Sequence, residues 1–271
     1  MYIFICEDSL DGILTGIYDA WSFKIQHGDL SHDDICLASQ EPDNYELFSE
    51  YFPIDTSLEK AQKVSRTIWN KLGSEFYEAI VKAALSREPS SKKDLDKADA
   101  IYKTVVLALR SPEAEKVLLY LGVPCVYRVF TLSRATNMEA HHLMGFLRFS
   151  ELKNGVLFST IHPKNHTLPI LAEHFTDRFP QENFMIFDET RNLAAVHRAG
   201  KNYMLVDASD LNQDIIRNYS EEEQQFRDLW LTFFDSIAIA ARVNPKLQAQ
   251  NIPKRFWPDV LEFNTKMQHT I

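Results

Sequence analysis

Apolar and polar positions follow two different periods along this chain, and the change of period marks its organisation. Tyr2–Cys6 is a short β-rich run. Glu7-Asp8-Ser9 then supplies a helix start, and Leu10, Ile13, Leu14, Ile17 and Trp21 recur at the spacing of one helix face. Ile35–Ala38 reads as a second strand, so the chain opens on a strand–helix–strand unit of small α/β type. Pro42 and Pro53 mark loops around a segment rich in acids and aromatics. Residues 57–121 read as mostly helical: Val64, Ile68 and Leu72 share a face, and Phe76, Ile80, Ala83 and Ala84 continue it past Gly73. Ser86 to Lys93 is a polar break expected to be an exposed loop, after which Ala98 to Leu109 resumes the helix. Ser111-Pro112-Glu113-Ala114 combines a capping serine, a first-turn proline and an acid, which predicts another helix. Gly122 and Pro124 stop it.

A further helix is predicted from about Val126 to Leu143, and the texture then turns to β. Gly145–Leu152 and Val156–Ile161 are apolar runs separated by Lys153-Asn154-Gly155, and Asn-Gly between such runs is a hairpin signal. Thr167 to Phe179 reads as a helix, followed by strands at Phe184–Phe187, Leu193–His197 and Tyr203–Val206. This β-β-α-β-β-β order predicts an antiparallel sheet with a helix on one face. The fold class is therefore α+β, with a largely helical N-terminal half and a helical C-terminal tail. Ser220 to Glu223 resembles a capping box, and Phe226, Leu229, Trp230, Phe233, Ile237 and Ala241 keep helical spacing behind it. Two units are expected, 1–124 and 125–271, with a soft boundary that leaves a single domain as the alternative.

Composition narrows the class. With 45% hydrophobic and 25% charged residues over 271 positions, the chain fills a sizeable core. No apolar run approaches the ~20 residues of a membrane span, and Met1-Tyr2-Ile3-Phe4-Ile5 lacks the basic flank of a signal peptide, so a cytoplasmic location is expected. Cys6, Cys36 and Cys125 are odd in number and widely spaced. They fit no zinc or cluster pattern, and Cys6 and Cys36, which lie in apolar runs, read as buried thiols. The net charge of −9 is uneven. Residues 1–60 hold Lys24 and Lys60 against thirteen acids, a net of −11, whereas 125–206 carry +2 and 242–271 carry +3. A phosphate backbone is repelled by the first segment and tolerated by the other two.

The chemistry-bearing residues concentrate where the charge is least acidic. Alternation in Phe146-Leu147-Arg148-Phe149 would place Phe146 and Arg148 on one strand face, and Arg178 closes the 167–179 helix. The tail adds Arg242, then Lys254, Arg255, Phe256 and Trp257. Guanidinium groups beside rings suit phosphates and stacked bases. They also suit salt bridges to Glu139, Glu173 or Asp177. His141, His142, His162, His166 and His174 fall in the same stretch, but nothing fixes three converging metal ligands. His174 reads first as a hydrogen-bonded structural histidine, and Asp8 and Asp11 as acids that complement the dipole of the first helix. With only 8 glycines there is no phosphate loop, so no cofactor and no metal are expected.

Taken together the segments resemble a known bacterial family. Its pattern of D-G-x-L-x-x-I-Y-x-A-W corresponds to Asp11–Trp21 and its E-x-H-x-x-x-G-F-x-R-F to Glu139–Phe149. I-x-P-x-N, HF-x-x-RF and D-x-x-R correspond to Ile161–Asn165, His174–Phe179 and Asp188–Arg191. I-x-x-R-x-N-P and P-K-R-x-W correspond to Ile239–Pro245 and Pro253–Trp257. The family is described as DNA-repair or DNA-metabolism proteins, encoded beside a radical SAM protein of DNA modification and repair. A related domain of unknown function occurs fused to uracil-DNA-glycosylase-like enzymes. The resemblance implies a DNA-repair accessory protein, and the basic–aromatic pattern and charge distribution make Arg148, Arg178, Arg242, Lys254, Arg255 and Trp257 its candidate DNA contacts. It also implies a radical SAM partner, which the acidic N-terminal region would face. Two alternatives stand beside it: a lesion-processing glycosylase or nuclease using His162, His174 and Asp188, and a protein–protein adaptor without DNA contact.

Overall fold

The computed structural model describes residues 1–42, 44–87, 95–211, 216, 218–237, 239, 242, 244–261 and 263. Most of the polar break expected at Ser86 to Lys93 lies outside the described residues, as does Ala241. The fold is α+β, and the chain divides into two compact units, Met1–Met138 and Glu139–Ile271. The division falls inside the long helix that follows Gly122 and Val123.

The first unit is built on strands β1 (Tyr2–Ile5), β2 (Ile35–Ala38) and β3 (Glu50–Pro53), ordered β2-β1-β3 and parallel throughout. Helix α1 (Leu10–Gln26) makes the crossover from β1 to β2 and buries Ile13, Leu14, Ile17 and Ala20. Ser9 caps it by accepting the Gly12 N–H at 3.0 Å. The chain turns so tightly here that a Cβ on Gly12 would lie 2.4 Å from the Glu7 carbonyl oxygen. Helices α2 (Leu58–Leu72), α3 (Ser74–Ala84) and α4 (Lys97–Arg110) complete the core, with Ile68, Phe76, Ile80, Ile101 and Tyr102 all buried. Asp8 does more than face a helix dipole: it pairs with Lys97, whose buried Nζ also donates to Ala84 O and Ser86 O.

Two expectations for this unit change. The region bounded by Pro42 and Pro53 contains β3, a strand too short to overcome the loop signal of its prolines. The predicted helix after Ser111 is a 3-10 turn, Ala114–Leu119. Only Val117 of it is buried, too little apolar contact to offset the nucleation cost of a full helix.

In the second unit the element order is the one the pattern predicts, but the sheet is mixed. Strands β4 (Ser150–Glu151), β5 (Leu157–Ile161), β6 (Phe184–Asp188), β7 (Leu193–His197) and β8 (Met204–Asp207) follow that order in space. β5 and β6 pair in parallel, from Leu157↔Phe184 to Ile161↔Asp188, and the other three pairs are antiparallel. The reason is α6 (Leu168–Arg178) between β5 and β6: a helical crossover returns the chain to the same end of the sheet, which a parallel pair requires. Gly155, at φ +75°, turns β4 into β5.

The second correction concerns Arg148. Helix α5 (Pro124–Phe146) takes up the residues expected to begin a strand, and the helical bond from Leu147 N to Leu143 O continues it. Leu143 and Leu147 thereby enter one core with Leu171, Phe175, Phe184 and Phe256. A smaller core on the other side of the sheet holds Leu152, Phe158, Phe187 and Ala194. Helix α7 (Glu221–Ile237) starts at Ser220, whose hydroxyl accepts the Glu223 N–H, and α8 (Pro245–Asn251) follows.

Candidate functional site

Strands β5 and β6 end side by side, and the loop from β5 to α6 leaves from that end. Two buried carboxylates hold it. Glu139, 2% exposed, accepts three hydrogen bonds, from Lys164 N at 3.0 Å on Oε1 and from Asn165 N and Asn165 Nδ2 at 2.8 Å each on Oε2, and its Oε1 forms an ion pair with Arg255 Nη2 at 3.2 Å. Asp188, fully buried at the last paired position of β6, accepts the Thr190 and Arg191 backbone N–H groups and pairs with the Arg191 guanidinium at 3.1 Å. Arg191 then reaches across to Pro163 O at 3.3 Å and Lys164 O at 2.6 Å. The loop backbone is thus gripped at its N–H groups by Glu139 and at its carbonyls by Arg191. Burial pushes the Asp188 carboxyl up, and the Arg191 guanidinium pulls it back. His166 in the same loop is driven down to about 4, by burial first and the Arg191 charge second. Among the described residues its buried Nδ1 has no hydrogen-bond partner.

Beyond the Ile161↔Asp188 pair the next residues across the two strands are His162 and Glu189, and the His162 Nε2 hydrogen-bonds the Glu189 carboxylate. His162 faces a groove of about 500 Å³. Arg148 and Phe149 line it from the end of α5, Phe158 and Thr160 from β5, and Tyr219, Glu223, Phe226, Arg227 and Trp230 from the start and first turns of α7. Arg148 donates Nη1 to Gly145 O at 3.0 Å and Leu147 O at 3.1 Å, which caps the C-terminus of α5. Among the described residues no carboxylate lies within ion-pair distance of it. Arg227 stands 4.3 Å over the Tyr219 ring and 3.8 Å from Glu223. Glu223, the only acid of this lining among the described residues, also accepts the Glu151 N–H at 3.3 Å.

The other candidates are dispersed. Arg178 is exposed at the end of α6, 5.7 Å from the Phe179 ring. Arg242 is exposed, and so is Lys254, whose ammonium lies 5.7 Å from the Trp257 ring. Trp257 donates to Ile252 O at 2.9 Å and stacks on Phe263. Arg255 is held by Glu139. None of these lines the groove. His162, His174 and Asp188 occupy three settings: His162 pairs with Glu189, Asp188 with Arg191, and His174 packs edge-on to Phe175 in α6. Arg227 and Tyr219 are groove residues the pattern did not single out. For Arg227 the signal was the Glu223–Arg227 i,i+4 spacing, overshadowed by the apolar periodicity around it.

A family model described as a domain of unknown function, DUF4130, matches residues 95–262. That is more than half of the chain, so the protein belongs to this family. The match takes in the gripped loop and every residue lining the groove. Comparison with curated proteins gave no match. Among the described residues no helix is long and apolar enough to cross a membrane.

Proposed function

We propose that this protein is a DNA-binding accessory factor of DNA repair and that the groove beside β5 is its DNA-contacting surface. One observation carries the proposal: two guanidinium groups, Arg148 and Arg227, share a concave surface with the rings of Phe149, Tyr219, Phe226 and Trp230. Arginine binds phosphate in bidentate fashion and rings stack on bases. The acid-rich first sixty residues would repel a phosphate backbone and are better suited to a protein partner. The radical SAM protein implied by the family resemblance is the proposed one, and it would supply the redox chemistry that three separate cysteines do not.

The test is an anisotropy titration with a labelled oligonucleotide at low salt, with and without that partner. The expected result is binding that weakens as salt rises, and Arg148→Ala is expected to lower the slope of log K against log salt by about one. Absence of binding in both forms, or an Arg148→Ala protein indistinguishable from the parent, rejects the proposal. A catalytic reading has a specific observation in its favour, the His162–Glu189 pair at the groove, since a carboxylate orients an imidazole for proton transfer. Turnover of damaged oligonucleotides by the pure protein, lost in His162→Ala, would establish it.

A further inference from the structure

The lining of the groove discriminates between forms of DNA. An intact double helix buries the faces of its bases in the stack and offers a protein only phosphates, sugars and base edges. Rings in a concavity have nothing to stack on there. An unpaired nucleotide exposes both base faces, and aromatic side chains stack on them whatever the base. Two of the groove's rings are already turned to solvent, Phe226 at 67% and Trp230 at 43% exposure. Exposed rings are unfavourable in water and favourable under a stacked base. Arg148 is fixed at the groove by two main-chain carbonyls, and the acid among the described lining residues, Glu223, is engaged by Arg227 and the Glu151 N–H.

We infer that the groove takes an unpaired DNA nucleotide, with its base stacked on Phe226 and Trp230 and its phosphate against Arg148. This rests on the DNA-binding reading above and names the form of DNA that the site selects. The unpaired nucleotide can come from a single strand or from a base turned out of a duplex, and the two sources share the same open base face.

Three labelled probes of one sequence test it by anisotropy at low salt: the single strand, its perfect duplex, and that duplex with one bulged nucleotide. The single strand, the bulged duplex or both should bind at least tenfold more tightly than the perfect duplex, and whichever does so identifies the source. Trp230→Ala and Phe226→Ala should each weaken the tighter complex about fivefold or more, with circular dichroism showing that both variants are folded. A perfect duplex bound as tightly as the other probes, or unchanged affinity in both variants, overturns the inference and leaves DNA binding standing. No binding to any probe overturns both.

Discussion

Asn165 presents its backbone N–H and its side-chain Nδ2 to the same atom, Glu139 Oε2, at 2.8 Å each. With Lys164 N and Arg255 on the other oxygen, one buried carboxylate organises a loop 25 residues away in sequence and a tail still more distant. Glu139→Ala would leave two main-chain N–H groups and a guanidinium without their acceptor. We expect a loss of about 3–5 kcal/mol in urea unfolding, and a smaller loss for Glu139→Gln, which keeps one acceptor oxygen. A Glu139→Ala protein as stable as the parent would show that the loop holds itself.

Gly12→Ala should cost about 1–3 kcal/mol, because the new Cβ would meet the Glu7 carbonyl oxygen at 2.4 Å and the Glu7 Cβ at 2.7 Å. Gly28→Ala is the control: nothing lies within 4 Å of its Cβ position. Urea midpoints of the two variants should separate clearly.

Lys97 is the buried cation of the first unit, bonded to Ala84 O at 3.0 Å, to Ser86 O at 2.6 Å and to Asp8. Lys97→Met keeps the stem and removes the charge, leaving those acceptors without their donor. A loss on the order of 3 kcal/mol is expected by chemical denaturation, and a neutral effect would mean that water replaces the ammonium.

Acid should weaken the fold through two histidines. His32, buried with its Nδ1 2.6 Å from the Tyr102 hydroxyl, is pushed down to about 4 by burial first, then by Arg110 and Lys24. His166 is lowered similarly. The unfolded chain protonates these rings near 6.5 while the folded chain keeps them neutral. Their contribution is therefore complete above about pH 6.5, declines as pH falls towards 4, and is constant below that. Melting temperatures measured across this window should fall less steeply in His32→Gln than in the parent; parallel profiles would exclude His32 as a cause.

How far the sequence disclosed this molecule depends on the range of the interactions involved. Strand β7 runs over the residues its alternation predicts, and α6 differs by one residue at each end, because local pattern and local burial agree there. The parallel pairing of β5 with β6 is a property of chain direction, which alternation does not record. Phe146 to Phe149 hold three apolar residues and one arginine, a run short enough for a helix end or a strand, and the core contacts of Leu143 and Leu147 decide for the helix. The site was legible in its parts. Glu139, Asn165, Asp188, Arg191 and Arg255 all lie in quoted motifs, but their convergence on one loop is a product of tertiary structure. That is also why Arg255, a candidate phosphate ligand by composition, has its charge met by Glu139.

Phe256 has no exposed surface and sits 5.9 Å from Phe146 and 6.3 Å from His142, ring to ring. By appearance residues 252–261 are a dispensable trailer of prolines and short turns. In fact they plug the hydrophobic interior at the end of α5, and Arg255 beside the plug ties Glu139 down. Trimming a recombinant fragment at residue 250 would therefore open the second unit rather than tidy it, because Phe256 leaves the core and Glu139 loses Arg255.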